Sequence, residues 1–284
     1  MSKIYPLLIS SVERNTRNAV LISFEVTEEI RKKFKFEAGQ YLTLETKIGK
    51  NKVRRSYSIC SPPSGGLQVG IKEIPKGVFS THANRVLKAG ETIMVGTPKG
   101  EFKYVQSLKE QRLVAFAAGS GITPIMSIIK AALSDNKNTS VYLVYGNKTP
   151  EDTMFYKDLK ALEEQFSLRL KIKWVYSRAN IPGSFFGRIE EGIVKDTLNQ
   201  LKGDTDKFYV CGPEAMITGV SKTLEEKGVS SDKILFELFT SSNQNLEEVS
   251  HSTSATIEII YDDMNFQLDG QEGKSILDTA LDNN

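Results

Sequence analysis

Arg55-Ser56-Tyr57-Ser58 puts a guanidinium, an aromatic ring and two hydroxyls within four residues. A guanidinium can hold a pyrophosphate through paired hydrogen bonds, a ring can stack on a flat heterocycle, and a hydroxyl can reach a ring nitrogen. Gly77-Val78-Phe79-Ser80-Thr81 stands just before a helical stretch expected over about 81–88. Backbone N–H groups at such a start favour an anion, glycine permits close approach, and Ser80 suits both a helix cap and a phosphate ligand. Gly119-Ser120-Gly121-Ile122-Thr123-Pro124 joins an apolar run to a helical pattern, with Pro124 suited to the first turn of a helix whose start can accept another pyrophosphate. It lacks the Gly-x-Gly-x-x-Gly spacing of ordinary dehydrogenases. Cys211-Gly212-Pro213-Glu214-Ala215-Met216 follows Phe208-Tyr209-Val210, which sets Cys211 at the carboxyl end of a parallel strand, where open α/β sheets hold their ligands.

Taken singly, each motif has a plainer reading: a half-buried surface strand, an ordinary N-cap, a tight strand-to-helix turn, and a small buried hydrophobe at Cys211. Their weight lies in their order and spacing together.

The elements that must position them fall into two groups. Short apolar or alternating runs at 20–26, 41–45 and 67–72 are punctuated by Ala38-Gly39, Gly49-Lys50-Asn51 and Pro62-Pro63-Ser64-Gly65-Gly66, which predicts an antiparallel β-barrel over 1–106. From 107 to 240 strands at 113–118, 141–145, 170–176 and 208–211 alternate with helical patterns, which predicts an α/β domain with a parallel sheet covered on both faces. Residues 241–254 have linker composition, and 255–284 read as a hairpin and the start of a helix, too few to bury a core of their own.

The chain has 284 residues, 39% hydrophobic and 25% charged, an ordinary globular composition. With 37 basic and 35 acidic residues the net charge is +2 and spread out, so nucleic acid is not an expected partner. No apolar run approaches the ~20 residues that span a bilayer, so no membrane association and a cytoplasmic location are expected. Two cysteines, Cys60 and Cys211, and two histidines, His82 and His251, offer no metal-ligand spacing.

The four motifs, in this order, resemble the ferredoxin-NADP reductase family, whose members pass electrons between a nicotinamide nucleotide and a one-electron carrier through a bound flavin. The resemblance implies an FAD-binding barrel and an NAD(P)-binding α/β domain. It puts Tyr57 on the isoalloxazine, Arg55 on the pyrophosphate and Ser58 at flavin N5, with Ser56 between them in the same pattern. It assigns Gly77, Val78, Phe79 and Ser80 to the flavin phosphates, and the backbone of Ile71 and Lys72 to the flavin nucleotide. Gly119, Gly121, Thr123 and Pro124 would receive the second nucleotide, with Thr123 also near the flavin. Cys211, Gly212, Pro213 and Met216 would flank the nicotinamide, and Glu237 matches an acidic position with a proton-relay or electrostatic role. Ser58, Cys211 and Glu237 are thus the expected catalytic set, with no metal.

Ser177-Arg178 ends the third strand of the second domain without an acid beside it, a pairing that favours the 2′-phosphate of NADPH over the diol of NADH. NADH stays open, as does FMN in place of FAD. Gly273-Lys274-Ser275-Ile276-Leu277-Asp278 resembles the opening of a plant-type ferredoxin domain, whose cluster cysteines would follow residue 284. A [2Fe–2S] cluster is therefore expected only in a longer parent, of which this chain would be a shortened form. That domain order resembles the reductase components of multicomponent oxygenases, the phenylacetyl-CoA epoxidase type among them. It implies electron flow from NAD(P)H through FAD to an iron–sulfur centre and an oxygenase, in phenylacetate degradation. The rivals are a general ferredoxin or flavodoxin reductase and a non-catalytic flavin- or nucleotide-binding regulatory module.

Overall fold

In the first hundred residues the strand Ile4–Thr16 alternates between buried and exposed positions over much of its length, while Ala19–Glu25 and Leu67–Lys72 are buried on both faces. The computed structural model describes residues 3–107, 109–135, 137–201 and 203–239, and the backbone of 256–261 and 264–269. β1 (Ile4–Thr16) pairs antiparallel with β2 (Ala19–Glu25) and β6 (Thr92–Gly96). β3 (Tyr41–Ile48), β4 (Asn51–Ser58) and β5 (Leu67–Lys72) complete a sheet of order β4-β3-β6-β1-β2-β5. Its two ends curl together: Ile59 bridges Val69, and the Cys60 N–H donates to Gln68 O at 2.9 Å. Ile9, Ile22, Leu42, Leu44, Val69 and Val95 fill the barrel, and α1 (Val78–Arg85) adds Phe79 and Ala83 to the same core.

The second sheet is built from β7 (Arg112–Ala118), β8 (Ser140–Asn147), β9 (Leu170–Tyr176), β10 (Phe185–Phe186), β11 (Lys207–Gly212) and β12 (Ile234–Leu238). Their order is β10-β9-β8-β7-β11-β12 and every pairing is parallel. The connecting helices are α2 (Ile122–Asp135), α3 (Tyr156–Gln165), α4 (Glu191–Gln200) and α5 (Glu214–Glu226). β8 and β9 follow β7 in one direction and β11 and β12 lie in the other, so the order reverses between β7 and β11. At such a switch point the loops leave a crevice beyond the carboxyl ends of the strands.

α2 is apolar nearly all round because it is covered on both sides: its Ile125, Ile128 and Ile129 share one core with Leu143 of the sheet and with Ala19, Leu21, Cys60 and Phe102 of the barrel side. Polar contacts cross the same seam, from Ser127 Oγ to Ser61 O (2.6 Å) and from Tyr209 Oη to Lys103 O (3.2 Å). Gly70 of β5 is needed there, since a Cβ would stand 2.7 Å from Thr123 Cγ2.

The helix expected over 81–88 starts three residues earlier, because Gly77 is the N-cap and Thr81 N–H already donates to Gly77 O at 3.0 Å. Ser80 is therefore inside the first turn and is not the cap. The chain divides after Phe239. In the second unit β13 (Thr256–Tyr261) and β14 (Met264–Asp269) form the expected hairpin, in register from Thr256 opposite Asp269 to Tyr261 opposite Met264. The expected linker at 241–254 and the 273–278 motif lie outside the described residues.

Candidate flavin and nucleotide site

Strand alternation puts Arg55 and Tyr57 of β4 on one face and Ser56 and Ser58 on the other. Tyr57 is half-buried, its ring 5.4 Å from that of Phe79 at a tilt of 41°. Burial pushes the Tyr57 hydroxyl far above its ordinary range, so it stays protonated. Arg55 donates from Nη1 to Arg54 O at 2.7 Å, which folds the side chain along its own strand. Arg54 is taken up by Glu45, to which its Nε donates at 2.9 Å and which Lys52 also meets at 2.7 Å. These two cations hold the buried Glu45 carboxylate below its usual range, with the Lys52 hydrogen bond contributing most. Ser56 is exposed, 3.4 Å from the Thr43 hydroxyl.

At the start of α1 no side chain caps Gly77 and the first turn carries no acid, so nothing on that turn repels an anion. A Cβ on Gly77 would lie 2.3 Å from Ser80 Oγ and 2.5 Å from Ile74 Cγ1. Ser80 is buried, and its hydroxyl accepts from Ile74 N–H (3.3 Å) and donates to Gly77 O (3.4 Å). It braces the turn, where the sequence suggested a helix cap. Val78 is exposed and Phe79 buried beneath Tyr57. Ile71 is buried in the barrel, and Lys72 turns across the seam to donate to Asp152 O at 3.0 Å, its pKa lowered chiefly by burial.

Ser58 donates to Glu237 Oε2 at 3.2 Å, joining the end of β4 to β12. Glu237 stands opposite Cys211 in the β11–β12 register. Burial raises the Glu237 carboxyl to about 7, the Ser58 hydrogen bond opposing the rise. Cys211 is fully buried, and burial first, then the Glu237 charge, lifts its thiol well above the ordinary value. It is a neutral thiol and no nucleophile.

Around Cys211 the crevice is made of backbone. Gly119 adopts φ +56° with nothing within 4 Å of a would-be Cβ, so the side a Cβ would occupy is open, while its carbonyl accepts from Tyr145 Oη at 3.0 Å. Gly121 packs so tightly on β11 that a Cβ would sit 2.2 Å from Cys211 O. Thr123 donates to Ser120 O at 3.0 Å, and Pro124 is buried in the first turn of α2. Gly212 leaves room for Met216, whose Cε would be 2.7 Å from a Cβ there, while Pro213 is exposed at the head of α5. Ser177 and Arg178 continue β9, where Ser177 N–H donates to Asn147 O (3.0 Å) and Arg178 N–H to Lys148 O (2.9 Å); the Arg178 side chain is exposed.

The fold thus brings Ser58, Glu237 and Cys211 into one cluster, and Arg55, Tyr57, Gly77 and Phe79 into a second. Gly119, Gly121, Thr123, Gly212, Pro213 and Met216 form a third, while Ser177 and Arg178 stand apart at the end of β9. Two residues beside the end of β9 carried no motif: Lys148, whose carbonyl accepts the Arg178 N–H, and the 67% exposed Phe186 in register with Tyr176. The only sequence signal for Phe186 is an aromatic pair following Gly183. A half-exposed ring, a cation on the same strand face and a helix start free of acids fit the stacking and phosphate needs of FAD. Among the described residues no group of His, Cys, Asp or Glu could hold a metal ion.

Residues 6–104 match the oxidoreductase FAD-binding domain, and residues 116–222 the oxidoreductase NAD-binding domain. One of the subunits of 1,2-phenylacetyl-CoA epoxidase from Escherichia coli (strain K12) is 31% identical over 99% of this chain and 81% of its own length. The ferredoxin reductase component of 3-ketosteroid-9-alpha-monooxygenase from Rhodococcus rhodochrous is 29% identical over 97% of this chain and 79% of its own length. Among solved structures, the ferredoxin NADP+ reductase of Neisseria gonorrhoeae with bound FAD and NADP superposes with a TM-score of 0.71 at 23% identity, covering 84% of this chain and 99% of that one. Phthalate dioxygenase reductase does so with a TM-score of 0.68 at 22% identity, over 99% of this chain and 80% of that one. With the barrel, the parallel sheet and both nucleotide domains in this order, the chain belongs to the ferredoxin-NADP reductase family of NAD(P)H-dependent flavin oxidoreductases.

Proposed function

We propose that the chain is the reductase component of an oxygenase system, taking hydride from NADPH and passing electrons singly to an iron–sulfur centre, with phenylacetate degradation as its setting and the cytoplasm as its place. Residues 1–106 serve the flavin and 107–240 the nicotinamide nucleotide. The observation that carries this reading is the Ser58–Glu237 hydrogen bond with Cys211 beside Glu237, a junction between the two domains. The oxygenase setting is supported by the two relatives named above, and the phenylacetate setting by the Escherichia coli one alone.

Bound FAD supplies the conversion of one two-electron delivery into two one-electron steps. The chain's own work is positioning. Tyr57 offers the stacking face, with Phe79 behind it fixing the tilt. Arg55 and the bare start of α1 attract phosphate. On the nucleotide side Gly119 and Gly121 let a pyrophosphate reach backbone N–H groups. Cys211 forms a dry, uncharged floor, which keeps water from the transferring atoms, and Glu237 can hold a proton at Oε2 near neutral pH in contact with Ser58. The exposed Arg178 takes the 2′-phosphate.

Cys211→Ala tests this arrangement. It should keep its flavin and slow anaerobic reduction by NADPH by about tenfold or more, because a donor displaced by a fraction of an ångström loses its near-attack geometry. Stopped-flow reduction at the parent rate would reduce Cys211 to a packing residue. A parent protein that binds flavin and is never bleached by NADPH would instead favour the regulatory reading.

A further inference from the structure

The turn Thr149–Phe155, between β8 and α3, belongs to no motif, yet it carries several contacts between the two domains. Phe155 is buried in the left-handed region at φ 57°, ψ 23°, a conformation disfavoured for a residue with a Cβ. Its N–H donates to Asn15 Oδ1 of β1 at 2.9 Å. One residue away Met154 packs so closely on Gly70 of β5 that a Cβ there would lie 3.1 Å from Met154 Cε. Asp152 receives Lys72 Nζ on its carbonyl at 3.0 Å and pairs with Arg17 Nε through its carboxylate at 3.3 Å. Three barrel side chains, Asn15, Arg17 and Lys72, therefore grip a single turn of the nucleotide domain.

The same turn reaches the nucleotide crevice. The fully buried Tyr145 hydroxyl lies between Met154 O (3.4 Å) and Gly119 O (3.0 Å), able to donate to one at a time. Burial pushes that hydroxyl well above its ordinary range, so it is present as a donor. A displacement of the turn is thus passed through Tyr145 to the glycine loop, while Met154 and Thr123 both abut Gly70 on the barrel side.

We infer that Asn15 is a positioning residue: by holding the strained Phe155 turn it fixes how closely the nucleotide loop approaches the flavin strands, and so the distance over which hydride moves. This rests on the function proposed above. The geometry favours positioning over simple cohesion because cohesion is already supplied by the apolar core around α2. A single polar bond to a left-handed residue adds little to that core and much to orientation.

Asn15→Ala removes the acceptor, and Asn15→Asp restores one. In the flavin-loaded protein, amide exchange at Phe155 should quicken by about tenfold or more in Asn15→Ala and return towards the parent value in Asn15→Asp. Flavin content and NADP+ affinity should stay within about twofold of the parent, while flavin reduction by NADPH slows by about tenfold, as expected for a misplaced donor. Unchanged exchange at Phe155 overturns the proposal. So does reduction at the parent rate, loss of flavin, misfolding of both variants, or a loss of nucleotide affinity as large as the loss of rate. Failure of NADPH to reduce the parent itself would count against the proposed function, with Phe155 exchange still deciding whether Asn15 holds the turn.

Discussion

Under the proposed function the two sides of the seam would hold their ligands by different means. On the barrel side the site is made of side chains with fixed neighbours: Tyr57 against Phe79, Arg54 drawn off by Glu45, and Ser80 locked into the Gly77 turn. On the α/β side it is made of Gly119, open where a Cβ would stand, tight glycines at 121 and 212, and an exposed Arg178. A surface of packed side chains is pre-organised for a guest that stays, because little further ordering is needed on binding. Open backbone and a solvated cation suit a substrate that must leave after each turnover. On the proposed function the difference would give tight retention to one sheet and exchange to the other, and each half of that expectation can be broken separately.

Tyr57→Ala should have the largest effect. It removes the stacking face and uncovers Phe79 at once, at a cost of roughly 2–3 kcal/mol, or about thirty- to 150-fold in flavin affinity. Flavin should be lost on gel filtration, while NADP+ binding to the α/β side changes little. Flavin content equal to the parent would show that the barrel side does not hold its guest by stacking, and the contrast between the sheets would collapse.

Arg178→Ala probes the other side and should be smaller. It removes a cation expected to meet a dianionic phosphate and leaves every contact shared with NADH, so kcat/KM for NADPH should fall about ten- to hundredfold, from about 1.5–3 kcal/mol of charge-assisted bonding. Flavin content should not move. Equal losses with NADPH and NADH, or a parent that already prefers NADH, would make Arg178 a solvated strand-end charge. Lys148, whose carbonyl receives the Arg178 N–H, would then need separate testing.

The unequal legibility of the two sides has the same origin. Motifs that specify backbone shape were readable, because glycine and proline report local conformation directly: the turns at 119–121 and 212–213 stand where the sequence puts them. β7, β8 and β11 also announced themselves as continuous apolar runs, whereas β10 did not. In the barrel β1 and β6 had no clear signal. β1 carries Pro6, Ser10, Ser11, Glu13 and Arg14 among its apolar positions, and β6 is only five residues long. Ser80 was misplaced because a hydroxyl near a helix start can face outward as a cap or inward as a brace, and only the packing against Ile74 decides. The Asn15–Phe155 bond was invisible, since 140 residues separate the partners and nothing local marks a left-handed phenylalanine.

Glu237→Gln gives the smallest expected effect and the sharpest test of the seam itself. In the folded protein the carboxyl titrates near 7, against an ordinary value of 4.5. Between those pH values the folded state holds more protons at this site than the unfolded state does, so this group's contribution to stability falls as pH rises through the window and is level above it. Undiscounted, the shift corresponds to about 3 kcal/mol; the carboxylate is only partly buried, and solvent screening brings the expected effect to about 1 kcal/mol. Glutamine keeps an acceptor for Ser58 and cannot ionise. The variant should match the parent near pH 4.5 and exceed it by about 1 kcal/mol above pH 7, read as a higher Tm of the flavin-loaded protein in matched buffers. A constant difference between the two proteins across pH 4.5–8 would mean that Glu237 takes up protons alike in the folded and unfolded states, as a solvated carboxyl does. The Ser58 contact would then be an ordinary surface bond, and the seam would lose its proton-holding group.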